Sequence, residues 1–137
     1  MSINGILQRE SNRLLLPYQI NYQQFSILFE IAKAREVQQK NMVNRLILEK
    51  SHVSKVVRKL QLMGLVSIIP STCDKRSALL TPTAKGTKLV DECRTLFQKW
   101  NKEWFEQLNA RELPQILDST DKLQKVFLSK YSKQIHE

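Results

Sequence analysis

Along most of this chain apolar residues return every three or four positions, the spacing that gathers them on one side of an α-helix. Ile6, Leu7, Leu14, Leu15 and Leu16, mixed with Arg9, Glu10 and Arg13, predict a first helix stopped by Pro17. Asn21 and Gln24 form a capping-box pattern ahead of Phe25, Leu28, Phe29 and Ala32, placing a second helix at about Tyr22 to Arg35. Met42, Val43 and Leu46 share one face of a third, short helix between Gln38 and Leu48. After Glu49 and Lys50, Val53, Val56, Val57 and Leu60 fall at i, i+3, i+4 and i+7, the buried stripe of a fourth helix ending near Gly64.

The period then changes. Leu65 to Ile69 is rich in β-branched residues between Gly64 and Pro70, and Ser77 to Leu80 follows the polar stretch STCDKR, so a two-stranded antiparallel hairpin is expected. Pro82 cannot donate to a sheet and suits the start of a helix. Leu89, Val90, Cys93, Leu96, Phe97, Trp100, Trp104 and Leu108 make that fifth helix long. Leu113, Ile116, Leu117, Leu123, Val126 and Phe127 predict a sixth, from about Arg111 to Lys133, with its weakest stretch at Asp118 to Asp121. The expected fold is mainly α with a small β wing: about six helices and a winged helix-turn-helix, the third and fourth helices joined tightly.

Composition narrows the class. The chain has 137 residues, 42% apolar and 26% charged, which suits one folded domain without repeats or low-complexity tracts. Lys and Arg outnumber Asp and Glu by 22 to 13, and a formal charge of +9 favours a polyanionic partner. Its longest apolar runs, around Leu65-Val66 and Ile68-Ile69, fall far short of the roughly 20 residues that cross a bilayer. The first residues lack a secretory signal pattern, so a cytoplasmic protein is expected, with no membrane partner. Cys73 and Cys93 are too few for a disulfide framework and lack metal-ligand spacing, so no metal or cofactor is expected.

The fourth helix carries the clearest chemistry. At about 100° per residue Lys55 and Arg58 lie within about 40° of Ser51, opposite the apolar stripe. In a helix-turn-helix the start of the second helix meets base edges in the major groove. Ser51, His52, Ser54 and Lys55 are therefore the base-reading candidates, Arg58 can reach guanine or phosphate, and Lys59 suits phosphate. With only His52 and His136 as histidines, no phosphate-cradling glycine loop and no nucleophile-base pair, an enzyme is not expected.

The order of these elements resembles the MarR family of bacterial transcriptional regulators. Met42-Val43-Asn44-Arg45-Leu46 is similar to the family's positioning helix and Ser51 to Leu60 to its recognition helix. Gly64-Leu65-Val66 resembles the turn into its wing, Asp74-Lys75-Arg76 its wing-tip motif, and Thr83-Ala84-Lys85-Gly86 its Thr-x-x-Gly, together spanning about residues 6 to 130. Pro82 and Arg58 depart from the family, which usually carries leucine and an acid there. The resemblance implies that Arg76 enters the minor groove, with Lys75 on phosphate and Asp74 orienting Arg76.

It further implies a repressor acting as a homodimer on a near-palindromic operator. A DNA-binding lobe would occupy about residues 36–86 of a single domain over residues 1–137, with dimerisation helices at about 1–20 and 95–137. Relatives often answer to small aromatic ligands or to cysteine oxidation. Trp100, Trp104 and Phe105 could line an effector pocket or pack as core, and Cys73 beside Lys75 and Arg76 is a candidate redox thiol, whereas Cys93 reads as a small core residue. The competing reading is an architectural DNA-binding or protein-interaction module with no small-molecule effector.

Overall fold

A computed structural model describes residues 2–46, 48–70 and 78–135, with the side chains of 132–135 excepted. Its elements run α1 (Ile3–Leu15), a single 3-10 turn (Leu16–Tyr18), α2 (Tyr22–Ala34), β1 (Val37–Gln38), α3 (Gln39–Leu46), α4 (Lys50–Leu62), β2 (Val66–Ile69), β3 (Leu79–Pro82), α5 (Ala84–Phe105) and α6 (Glu112–Ile135). The chain divides into two compact units, Met1–Phe97 and Gln98–Glu137.

Side chains set the helix ends. The Ser2 hydroxyl accepts from Gly5 N at 3.2 Å, so α1 starts ahead of its first expected apolar residue. At α2 the predicted box is formed: Asn21 Oδ1 accepts from Gln24 N and Gln24 Oε1 from Asn21 N, both at 2.9 Å. Arg35 then takes a φ of 64°, which ends α2 and turns Val37 into the core at 5% exposure.

That turn creates a strand the hydrophobic pattern does not announce. β1 pairs antiparallel with β3, Val37 opposite Leu80 and Gln38 opposite Leu79, and β2 pairs with the other side of β3. The sheet therefore has three strands in the order β1-β3-β2, one more than the expected hairpin, and Gln38 belongs to a strand instead of opening α3. Pro82 is also corrected. It ends β3 opposite Val66, beyond the last residue paired with β1, where its missing N–H takes nothing from that strand.

The core of the first unit is built from Ile27, Leu28 and Ile31 of α2, Met42 of α3, the stripe Val53, Val56, Val57 and Leu60 of α4, Leu65, Val66, Leu80, and Val90 and Cys93 of α5. Full burial of each such aliphatic side chain is worth about 1.5–3 kcal/mol, more than any surface bond α4 could make, so the stripe fixes which face of α4 turns outward. In the second unit, Asn109 Oδ1 accepts from Arg111 N and Glu112 N while Glu112 accepts from Asn109 N, starting α6 with a reciprocal cap. α6 runs unbroken through Asp118 to Asp121, where Asp118 pairs with Lys122 at 3.2 Å. No described helix is long and apolar enough to cross a membrane.

Candidate nucleic-acid interface

With Val53, Val56, Val57 and Leu60 at 6% exposure or less, the opposite side of α4 presents Ser51, Ser54, Lys55, Arg58 and Lys59, all exposed. Among the described residues, the ion pairs join Arg9 and Arg13 to Glu10 and Lys122 to Asp118, and none engages Lys55, Arg58 or Lys59. Unpaired cations on one helical face are free to displace the counterions condensed on a phosphate backbone. Arg58, at the position where many proteins of the resembled family carry an acid, adds to that face instead of neutralising it.

His52 departs from the rest of the set. It is half-buried, and its Nε2 is enclosed without a hydrogen-bond partner among the described residues. To meet a base edge its ring must turn.

Gln39 was not singled out from sequence, yet its Nε2 donates to Ser54 Oγ at 2.8 Å and its backbone N–H to Ala78 O at 2.9 Å. No local pattern signals a bond between residues so far apart in the chain.

The far end of α4 is closed by backbone geometry. Gly64 adopts a φ of 75°, and its N–H donates to Gln61 O at 2.9 Å while Leu65 N donates to Leu60 O at 2.9 Å. These paired bonds satisfy carbonyls that the helix leaves open and aim the chain into β2.

Thr83-Ala84-Lys85-Gly86 then locks α5 onto this turn. The Thr83 hydroxyl donates to Gly64 O at 2.6 Å and accepts from Gly86 N at 3.0 Å, while Lys85 Nζ donates to Met63 O at 2.9 Å. Thr83 N donates to Leu65 O at 3.1 Å, closing the clamp from the backbone. The threonine caps one helix and braces the end of another with the same oxygen.

Cys73, the candidate redox thiol, and the expected wing-tip residues Asp74, Lys75 and Arg76 lie outside the described residues, as does Ser77, the expected start of the last strand. Cys93 is fully buried, and burial, with Glu92 second, pushes its thiol up to about 11. It packs as the small core residue expected. In the second unit Trp104 stands 6.4 Å from Trp100 and 4.1 Å from Phe105 between ring centroids, in edge-on contacts, with Trp104 38% exposed.

A buried stripe opposite a basic face without ion pairs among the described residues, a glycine turn and a small antiparallel sheet define a winged-helix DNA-binding protein, and residues 20–86 match the family model described as a winged helix DNA-binding domain. The chain is 28% identical over 119 residues to the HTH-type transcriptional regulator BilQ of Clostridium symbiosum, covering 87% of this chain and 77% of that protein. A mutant MarR of Escherichia coli, solved in complex with operator DNA, superposes with a TM-score of 0.79 at 25% identity over 88% of this chain and 86% of that one. MarR of Staphylococcus aureus, solved with salicylate and kanamycin, shares the fold with a TM-score of 0.86 at 22% identity, over 93% and 86% of the two chains.

The chain is a winged-helix DNA-binding transcriptional regulator, similar in sequence and fold to regulators of the MarR type.

Proposed function

We propose that this regulator binds a near-palindromic operator as a homodimer and represses the genes beside it. α4 enters the major groove, where Ser51, Ser54 and Lys55 read base edges, Arg58 reaches guanine or phosphate, and Lys59 meets phosphate. His52 joins the base readers on turning outward. The segment Asp74-Lys75-Arg76 serves the adjacent minor groove, Arg76 in the groove, Lys75 on phosphate and Asp74 orienting Arg76.

The observation that carries this reading is the exposed row Ser51, Ser54, Lys55 and Arg58, whose cations form no ion pair among the described residues, backed by a fully packed stripe. Residues 36–86 act as the DNA-binding lobe, and residues 1–20 and 95–137 supply the dimer. In support of that division, α1 exposes Ile3, Ile6 and Leu7, and α6 exposes Ile116, Leu117, Leu123, Val126 and Phe127. A two-fold dimer sets its recognition helices one DNA turn apart, roughly 34 Å. The protein works in the cytoplasm, on the nucleoid.

A small aromatic effector is the natural candidate for the signal. Trp100, Trp104 and Phe105 support it, since they pack on one another outside the main core, and a structurally similar S. aureus protein was solved with salicylate.

Genome-wide selection of bound fragments tests the reading. A discrete palindromic motif upstream of genes is the expected result. Broad A·T-rich occupancy identifies an architectural DNA binder, and absence of binding a protein-interaction module; either result overturns the proposal.

A further inference from the structure

We infer that Gln39 is a positioning residue for base recognition: it holds Ser54 as a hydrogen-bond donor toward the major groove and ties that side chain to the base of the wing. The inference rests on the proposal that α4 reads bases.

Gln39 is the first residue of α3, directly after β1. Its backbone N–H is held by Ala78 O at 2.9 Å, just ahead of β3, and its side-chain Nε2 donates to Ser54 Oγ at 2.8 Å. One residue thus spans the foot of the wing and the outward face of the recognition helix. A shift of either must move the other or break a bond.

The bond also sets what Ser54 can offer. A hydroxyl inside a helix commonly donates to the carbonyl one turn back, as Ser26 does to Tyr22 O at 2.9 Å and Thr95 to Asp91 O at 3.2 Å. Ser54 makes no such bond, and its proton is unspent, among the described residues, while Gln39 engages one of its lone pairs. The side chain therefore offers DNA its O–H, which suits guanine O6 or N7, adenine N7 or thymine O4.

The test is selection of bound sequences from a pool of random duplexes, followed by titration on the selected and on a shuffled duplex. It uses the full-length wild type, Ser54→Ala, Gln39→Leu, Gln39→Glu and the Gln39→Leu/Ser54→Ala double variant, with heat unfolding followed in parallel. Gln39→Leu keeps the backbone bond to Ala78 and the size of the side chain but cannot donate. It is expected to lose about tenfold in preference at one base pair of each half-site, the pair at which Ser54→Ala loses its own, with affinity for the shuffled duplex unchanged. The double variant should be no worse than Ser54→Ala alone. Gln39→Glu accepts from Ser54 instead of donating, so the preferred base at that pair should change in kind.

A loss by Gln39→Leu that is equal on both duplexes would make Gln39 a phosphate contact and overturn the inference, as would losses that add to those of Ser54→Ala. An unchanged preference in Gln39→Glu overturns the donor assignment even if Gln39→Leu fails to fold. If the wild type selects a motif that ignores all these changes, the inference alone falls. If the wild type selects no motif, the base-reading proposal falls with it.

Discussion

Gly86 lies so close to Leu65 that a β-carbon at position 86 would overlap the Leu65 carbonyl oxygen, a backbone atom that cannot swing aside. The close approach brings the first turn of α5 against the chain leaving the recognition helix. Gly86→Ala should therefore separate two elements that Thr83 and Lys85 hold together. It is expected to cost about 1–3 kcal/mol or more, as for overpacking of a tight site. Urea denaturation reads this as a lowered midpoint with unchanged slope. An unchanged midpoint would show that the clamp yields freely.

Thr83 makes its two bonds through one hydroxyl, donating to Gly64 O and accepting from Gly86 N. Thr83→Val keeps the shape and removes both. Losing a helix cap together with a bond to an open carbonyl should lower stability by about 1–2 kcal/mol. Thr83→Ser, which keeps the oxygen, should recover most of that in the same denaturation experiment.

These two residues also measure what the sequence discloses. The stripe Val53, Val56, Val57 and Leu60 was legible because helical periodicity reports burial directly, and all four are buried. The Asn21 and Gln24 cap was legible because both partners sit within one turn. The Thr-x-x-Gly pattern was visible only as a resemblance, since its bonds reach Met63, Gly64 and Leu65 across the whole wing.

β1 was illegible for a physical reason. A strand of Val37–Gln38 has no room for alternation to register, and it exists because Arg35 turns the chain and β3 offers an open edge. Gln39 escaped notice likewise: a glutamine beside helical polar residues looks like solvated surface until the fold sets it against Ser54. Arg58 and Lys55 were placed correctly on the outward face because their angle from the apolar stripe follows from helix geometry alone.

The two groove contacts proposed for α4 and for Arg76 should be separable by mutation. Arg76→Ala should weaken operator binding while leaving folding and dimerisation intact, and a gel-shift titration with unchanged affinity would remove Arg76 from the interface. Lys55→Ala and Arg58→Ala should alter the preferred sequence, each by about 1–3 kcal/mol at the affected base pair. Lys59→Ala should weaken binding alike on all sequences and reduce the salt slope by about one. A uniform loss from Lys55→Ala or Arg58→Ala would reassign those residues to phosphate.

The Cys93 thiol is pushed from its usual 9.0 to about 11 by burial, with Glu92 adding to the effect. The unfolded thiol therefore releases its proton at lower pH than the folded one. Between those values the unfolded chain binds fewer protons, so stability falls as pH rises through that window; below it the contribution is fully present. Cys93→Ala should lose core packing at neutral pH but show a flatter decline above pH 9.0 than the wild type. Urea titrations across this range compare the two slopes, and parallel curves would rule out the thiol as the source. In a Cys73→Ser background a thiol reagent at neutral pH should label Cys93 only as the protein unfolds.

α6 leaves Phe127 53% exposed, in tilted contact with Tyr131 at 6.0 Å, on a helix whose Ile116, Leu117, Leu123 and Val126 are all about half exposed. An apolar row of that length on a regulator read as a two-fold dimer is expected to be covered by the partner copy. Phe127→Asp sets a charge into that contact, where it must be desolvated without a counter-ion. Truncating or charging a central aromatic anchor typically costs 2 kcal/mol or more, so dissociation should strengthen by about thirtyfold or more. Sedimentation equilibrium at micromolar concentration should show the wild type as a dimer and Phe127→Asp shifted toward monomer, with the helical content of each unchanged. The variant should then bind a single half-site as the wild type does but lose the added affinity of a full operator, because only the link between recognition helices is broken. A wild type that sediments as a monomer, or a variant that dimerises equally well, overturns the assignment of α6 to the dimer.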